Sequence, residues 1–256
     1  MKIKLLPSTA GWESQFQSLT SFLIDDRLAI DCGSLGFALA PDQIGAIRHI
    51  VVTHAHSDHT ASLPIYVAEA FTTLDASINV YASAEVVSAL RRFVFNDQIW
   101  PDFEKIPLAN EKGPTLRFQT MGMREPVDIA GYKVTLIPVT HTVPTAGVVV
   151  EDGLAAVIFT SDTYTTDEIW EAARGVERLK AIFVDVSYPD ELSELAAASK
   201  HLTPGLLAGE LKKLNRAVEI YAVHIKPSNR DEVVRQIGML NSDLISVGEI
   251  NRVYEW

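Results

Sequence analysis

The chain has 256 residues, of which 47% are hydrophobic and 21% charged, enough apolar side chain for a substantial core and too little polarity for a disordered protein. Its 22 basic and 33 acidic residues leave a net charge of −11. That balance argues against a large nucleic-acid partner, because a long polyanion is gripped by neutralising its phosphates with Lys and Arg. The only cysteine, Cys32, excludes an intrachain disulfide and any cysteine-based zinc cluster, so a metal here would be held by histidine and carboxylate.

No stretch has the composition of a linker, so one domain over residues 1–256 is expected. The basic start, Met1 to Pro7, leads into no apolar segment before Gly11 and Glu13, and the longest apolar runs (155–159 and 181–184) are too short to cross a bilayer. These features predict a cytoplasmic protein with no membrane partner.

Residues 2–6 read as a strand, and 21–24 with 28–31 as a hairpin turned at Asp25-Asp26-Arg27. A short helix is expected from Pro41, then a buried strand over 48–53, then a helix from Asp58 to about Thr72 with Leu63, Val67 and Ala70 on one face. A strand at 79–82 and a helix at 84–95 follow. The aromatic and acidic stretch from Phe95 to Phe103 reads as a loop packed down by its rings, or else as a pocket wall, a lid or a subunit contact.

Residues 115–160 read mostly as antiparallel strands, at 115–121, 127–129, 132–138, 146–151 and 154–159, with Asp152-Gly153 as a hairpin signal. A helix at 166–174 comes next. Strand 181–186, helices 191–198 and 204–214, strand 218–223, helix 230–240 and strand 244–247 complete the chain. Two halves, each strands first and helices after, predict an α+β fold in which two sheets pack face to face with helices outside, the four-layer αββα sandwich.

The chemistry concentrates in His54-Ala55-His56-Ser57-Asp58-His59, directly after the apolar run Ile50-Val51-Val52. Three imidazoles and a carboxylate in one short turn suit zinc and similar divalent ions, which accept neutral imidazole nitrogen and carboxylate oxygen. Three further candidates close apolar runs of their own: His141 after 134–139, Asp162 after 157–161 and His224 after 220–223. Loops gather at such strand ends, and sites are usually built there. Each of the three alone would suit a cap or a core role; with the first motif they form a constellation.

That series, His54, His56, Asp58, His59, His141, Asp162 and His224, resembles the ligand pattern of the metallo-β-lactamase superfamily over about residues 21–226. It is the phosphodiesterase-type version, which includes the class II cyclic-nucleotide phosphodiesterases and the long-form transfer-RNA 3′ processing nucleases. The resemblance implies that His54, His56 and His141 hold one divalent ion, that Asp58, His59 and His224 hold a second, and that Asp162 bridges them. Zinc is the leading choice, with manganese, iron or cobalt as alternatives. Two such ions roughly 3.5 to 4 Å apart can share a hydroxide and clamp the attacking and leaving oxygens at phosphorus.

Residues 159–170, with their Asp162-Thr163 pair, later acid and Trp170, are similar to the cyclic-nucleotide branch, as are His201-Leu202-Thr203-Pro204, Leu207 to Leu211, and His224-Ile225-Lys226-Pro227. The implied activity is hydrolysis of 3′,5′-cyclic nucleotides to 5′-monophosphates. Asp58 and His201 take the catalytic roles, His201 as proton donor or phosphate contact, unless it only sits beside the Thr203 helix cap. The implied partner is a small anionic phosphodiester, and a homodimer fits the resemblance. Ser57, Thr60, Pro64 and Tyr164 depart from that branch, where leucine, an aliphatic residue and glycine are usual at Ser57, Thr60 and Tyr164, and Pro64 is nearer the nucleases. An RNA 3′-end nuclease and a non-catalytic metal-binding module are the competing readings.

Overall fold

The structure, a computed structural model, describes residues 1–8 and 16–256. Gly11 and Glu13, which end the N-terminal run in the sequence, lie outside the described residues.

The first half of the chain builds one sheet. Strands β1 (Lys2–Leu5), β2 (Phe22–Ile24), β3 (Leu28–Ile30), β4 (His49–Val51), β5 (Ile78–Ala82) and β6 (Leu116–Thr120) are interleaved with helices α1 (Leu35–Ala38), α2 (Ser57–Thr60), α3 (Leu63–Ala70) and α4 (Ala84–Phe93). The second half supplies β7 (Pro126–Ile129), β8 (Tyr132–Pro138), β9 (Ala146–Glu151), β10 (Ala156–Phe159), α5 (Glu168–Gly175), β11 (Leu179–Asp185), α6 (Ser193–Ser199), α7 (Pro204–Leu214), β12 (Glu219–Val223), α8 (Arg230–Met239), β13 (Ile245–Val247) and β14 (Val253–Glu255). Among the described residues the strand orders are β14-β1-β2-β3-β4-β5-β6 and β13-β12-β11-β10-β9-β8-β7.

Three apolar clusters lie in sequence across the molecule. Leu63, Tyr66, Val67, Val86 and Leu90 cover the outer face of the first sheet. Phe22, Ile30, Val134, Val148, Phe159 and Phe183 fill the space between the sheets. Ile169, Trp170, Leu207, Val233 and Ile237 cover the outer face of the second. The expected αββα sandwich is therefore the observed one, each sheet burying both faces.

Several local expectations need correction. Residues 41–46 form turns rather than a helix, and the helix of this region, α1, comes before Pro41. Gly45, at φ +84, takes a left-handed conformation that a helix does not contain. The helix expected from Asp58 to Thr72 is broken between α2 and α3 at Ala61 and Ser62, where Ser62 donates through Oγ to the Cys32 carbonyl at 2.8 Å. The strand at 115–121 is not part of the antiparallel run: β6 pairs parallel with β5 in the first sheet. Strand β14, unmarked in the sequence reading, pairs antiparallel with β1 and closes the first sheet's edge.

The Phe95–Phe103 stretch is the loop packed down by its rings. Phe95 and Phe103 are buried in the first cluster and Trp100 packs against it. Cys32 is fully buried, and burial pushes its thiol up to about 12, as befits an inert core side chain. Glu210 and Trp170, part of the family-like pattern, serve the fold: the buried Glu210 carboxylate accepts from Trp170 Nε1 at 2.8 Å and from Thr166 N at 3.0 Å, locking α5 to α7.

Candidate metal centre

Strand β4 ends at Val51, and two residues later the chain leaves the sheet edge as the His54–His59 turn. His56 is the N-cap of α2 at φ −65, ψ 148, and Asp58 lies in the first turn, where a negative charge meets the helix's positive end. The close approach of three segments makes this turn possible. A Cβ at Gly33 would lie 2.0 Å from the Asp58 carbonyl oxygen and 2.7 Å from that of Thr20, so only glycine fits there. His141 follows β8, Asp162 follows β10 and His224 follows β12, and all converge on the turn.

The donors fall into two groups of four that share one member. Ligand atoms of His54, His56, His141 and Asp162 all lie within 4.8 Å of one another, and so do those of Asp58, His59, Asp162 and His224. Asp162 Oδ1 is 3.1 Å from His59 Nε2, while Oδ2 is 3.6 Å from His54 Nε2, 3.8 Å from His141 Nε2 and 3.4 Å from His224 Nε2. His224 Nε2 is also 3.5 Å from Asp58 Oδ2.

Four of the five histidine rings are held from behind through Nδ1, while His56 Nδ1 lies 3.2 Å from His141 Nε2 inside the first group. His59 Nδ1 meets Asp31 Oδ2 at 2.7 Å, His54 Nδ1 meets Thr53 Oγ1 at 3.0 Å, His141 Nδ1 meets the Lys200 carbonyl at 3.1 Å and His224 Nδ1 meets Thr20 Oγ1 at 3.1 Å. Outer partners of this kind orient metal-binding imidazoles. Thr53 Oγ1 in turn bonds Asp31, and the His224 backbone N–H donates to Gln17 Oε1 at 2.8 Å.

The donor set fits divalent ions. His54 Nε2 and His59 Nε2 are buried without a well-aligned hydrogen bond, one in each group, His59 Nε2 having only the Asp162 carboxylate at 3.1 Å. Leaving such an atom unsatisfied costs on the order of 1–3 kcal/mol, so two of them facing a shared carboxylate call for a ligand. Positive φ at Asp31, Ser161 and His224 places strained backbone around the same point, and none of the three is glycine.

His201 stands beside both groups. Its ring centroid is 5.1 Å from that of His141 and 5.5 Å from that of His224, nearly parallel to the latter. Nδ1 is taken up by Asp185 Oδ2 at 2.8 Å, with Ser187 Oγ at 3.2 Å, and Thr163 N donates to the same Asp185 oxygen at 3.1 Å. Burial depresses the His201 imidazole, but the adjoining Asp185 carboxylate outweighs it and holds the pKa above the ordinary 6.5. His49, set apart in sequence, is apart here too, with Nδ1 3.1 Å from Tyr81 Oη.

Charges sort the groups. Burial pushes His54, His56, His141 and His224 down, His224 to about 4, so these rings are neutral and ready to donate a lone pair. Burial lowers His59 as well, but the Asp162 and Asp31 carboxylates on either side win and raise it well above 6.5. Asp162, despite burial, is held well below the usual carboxylate range by the surrounding histidines, His224 first. The floor beneath is apolar: Phe22, Phe159 and Phe183 stack there at centroid separations of 4.7 to 5.3 Å.

All seven expected ligands and His201 thus come together. Sequence reasoning did not single out Asp31, Asp185, Thr20, Thr53 or Ser187. Asp31 and Asp185 carry the signal used for Asp162, a carboxylate just ending an apolar strand, and that rule applied evenly would have found both.

Two mixed sheets with a His/Asp constellation at their strand ends define a hydrolase of the metallo-β-lactamase type of fold. The chain belongs to the beta-lactamase superfamily, whose domain description matches residues 27–225. Over 206 residues it is 26% identical to a Yersinia pestis protein named "Probable 3',5'-cyclic-nucleotide phosphodiesterase", covering 72% of this chain and 58% of the relative's length. Unliganded yeast PDE1 superposes with a TM-score of 0.80 at 16% identity over 98% of each chain. The Bacillus subtilis fold protein YhfI gives 0.76 at 13% identity, covering 100% of this chain and 99% of that one. Human tRNase Z, short form, gives 0.68 at 17% over 100% and 99%. At these identities the solved structures establish the fold.

Proposed function

We propose that this chain is a dinuclear-metal phosphodiesterase that hydrolyses 3′,5′-cyclic nucleotides, cyclic AMP or cyclic GMP, to 5′-monophosphates. The observation that carries this reading is the pair of four-donor groups sharing Asp162. His54, His56 and His141 would hold one ion, and Asp58, His59 and His224 the other. The cyclic-nucleotide name of the Yersinia pestis relative supports the substrate class. Zinc suits the all-His and carboxylate set, and manganese or iron would also be accepted by it. When bound, two ions lower the pKa of water and neutralise charge developing at phosphorus.

The chain's own residues do the rest. Asp162 is shared by both groups, its Oδ1 toward His59 and its Oδ2 toward His54, His141 and His224, and its negative charge would offset part of the repulsion between two ions. Asp58, half-buried at the rim, orients the second group beside the substrate. His201 has its Nδ1 committed to Asp185, which leaves Nε2 to deliver a proton to the departing 3′-oxygen, a poor leaving group without it. The apolar floor keeps the local dielectric low, so each of these charges acts strongly.

The test is a hydrolysis screen over cyclic AMP, cyclic GMP, bis(p-nitrophenyl) phosphate and a short RNA, with metal content measured on the same sample. Cyclic-nucleotide turnover, abolished by His56→Ala and by Asp162→Ala, is expected. Turnover of the simple diester alone would overturn the substrate assignment, and RNA cleavage alone would replace it with a nuclease. Absence of chelator-sensitive hydrolysis on every substrate would overturn the enzyme reading.

A further inference from the structure

Lys226 lies two residues beyond His224, just after β12, and points back at the second group. Its Nζ is 2.8 Å from His224 Nε2 and 3.5 Å from Asp58 Oδ2. An ammonium only donates, so His224 Nε2 must accept, and the ring proton must lie on Nδ1 against Thr20 Oγ1. That is the tautomer an ion at Nε2 also requires. The Nε2 lone pair is single and lies in the ring plane; it can serve an ammonium or an ion, not both.

The first group has no such occupant. Among the described residues, the hydrogen bonds of His54, His56 and His141 run to hydroxyls, a backbone carbonyl and one another. Lys200, beside His141, gives it only its carbonyl, and its Nζ sits 5.1 Å over the Tyr164 ring instead.

We propose that Lys226 is a positioning residue of the second group: its ammonium occupies the His224 and Asp58 arm while the second ion is absent and competes with that ion for the His224 lone pair. This rests on the two-ion reading above. The first group therefore fills first, and the second fills only as Lys226 is displaced toward solvent, which its partial exposure of 29% permits. Two groups built from similar donors thereby acquire unequal affinities.

The competition is read by titrating metal-free protein with cobalt(II), following its visible absorption, and by equilibrium dialysis with metal analysis. Wild type should bind two equivalents in unequal steps. In Lys226→Met the second dissociation constant should fall about tenfold or more, the worth of one charge-assisted hydrogen bond, with the first unchanged. Lys226→Arg, which keeps the cation, should keep the gap. If Met disturbs folding as judged by circular dichroism, Lys226→Gln should narrow the gap in the same direction.

A second step in Lys226→Met that is equal to wild type within about twofold, or weaker, would overturn the proposal while leaving the two-ion reading intact. A wild-type chain that binds no divalent ion would overturn both.

Discussion

Replacing Asp31 with Asn tests whether the second group depends on a residue that touches no ion. Asp31 is only 2% exposed, and its carboxylate accepts from Thr53 N at 2.8 Å, from Thr53 Oγ1 at 2.9 and 3.0 Å, and from His59 Nδ1 at 2.7 Å. An amide has the same shape but one oxygen. With that oxygen kept by Thr53 N, the NH2 faces His59 Nδ1 and forces this nitrogen to accept. The neutral His59 ring then carries its one proton on Nε2, the atom 3.1 Å from Asp162 that would ligate the ion. The loss of one charge-assisted hydrogen bond, about 1.5–3 kcal/mol, corresponds to a drop of roughly ten- to a hundred-fold in second-ion affinity. By linkage, stabilisation by saturating metal should shrink by about 1.4–2.7 kcal/mol. Equilibrium dialysis gives the affinity, and denaturant unfolding with and without metal gives the stability. Uptake of both ions by Asp31→Asn at wild-type affinity would refute the reasoning, and an equal loss of stability in metal-free protein would recast Asp31 as a fold residue.

Gly33→Ala should destabilise the chain by about 1–3 kcal/mol or more and lower second-ion occupancy, because its Cβ meets the Asp58 carbonyl at 2.0 Å; thermal denaturation and metal analysis check both. Asp185→Asn should move the alkaline limb of the hydrolysis pH profile to lower pH. His201 acts as an acid only below its pKa, Asp185 raises that pKa against burial, and removing the carboxylate lets it fall, so an unmoved limb would refute the role. Metal uptake near neutral pH should release a proton from His59, whose pKa is raised by Asp162 and Asp31 against burial, and none from the four depressed histidines. Calorimetry in two buffers of different ionisation enthalpy measures that release.

Local pattern carried much of this molecule. The hairpin at Asp25-Asp26 forms where acidic residues adopt φ of 46 and 53, and Asp152-Gly153 turns β9 into β10 as its dipeptide predicts. Apolar runs located β4, β8, β10 and β12, and each hands its next polar residues to the site. The seven candidate ligands were legible because metal-binding residue types stand at strand ends, a property of sequence order alone. What failed locally failed for tertiary reasons. The helix at residues 57–70 breaks where the Ser62 backbone N–H turns to the Cys32 carbonyl and Pro64 has no N–H to give, and β6 joins the first sheet because its partner is β5, not the hairpin that follows it.

The amino-acid sequence by itself determined most of the elements and the candidate donor set, since burial period and residue chemistry are written in neighbouring positions. Only the tertiary structure decided how those donors are aimed. His224 is held by Thr20 across 204 residues, His141 by Lys200 across 59 and His59 by Asp31 across 28. Such pairings arise when two sheets close on a shared core, and no local pattern encodes which distant hydroxyl or carboxylate will then stand behind a given ring.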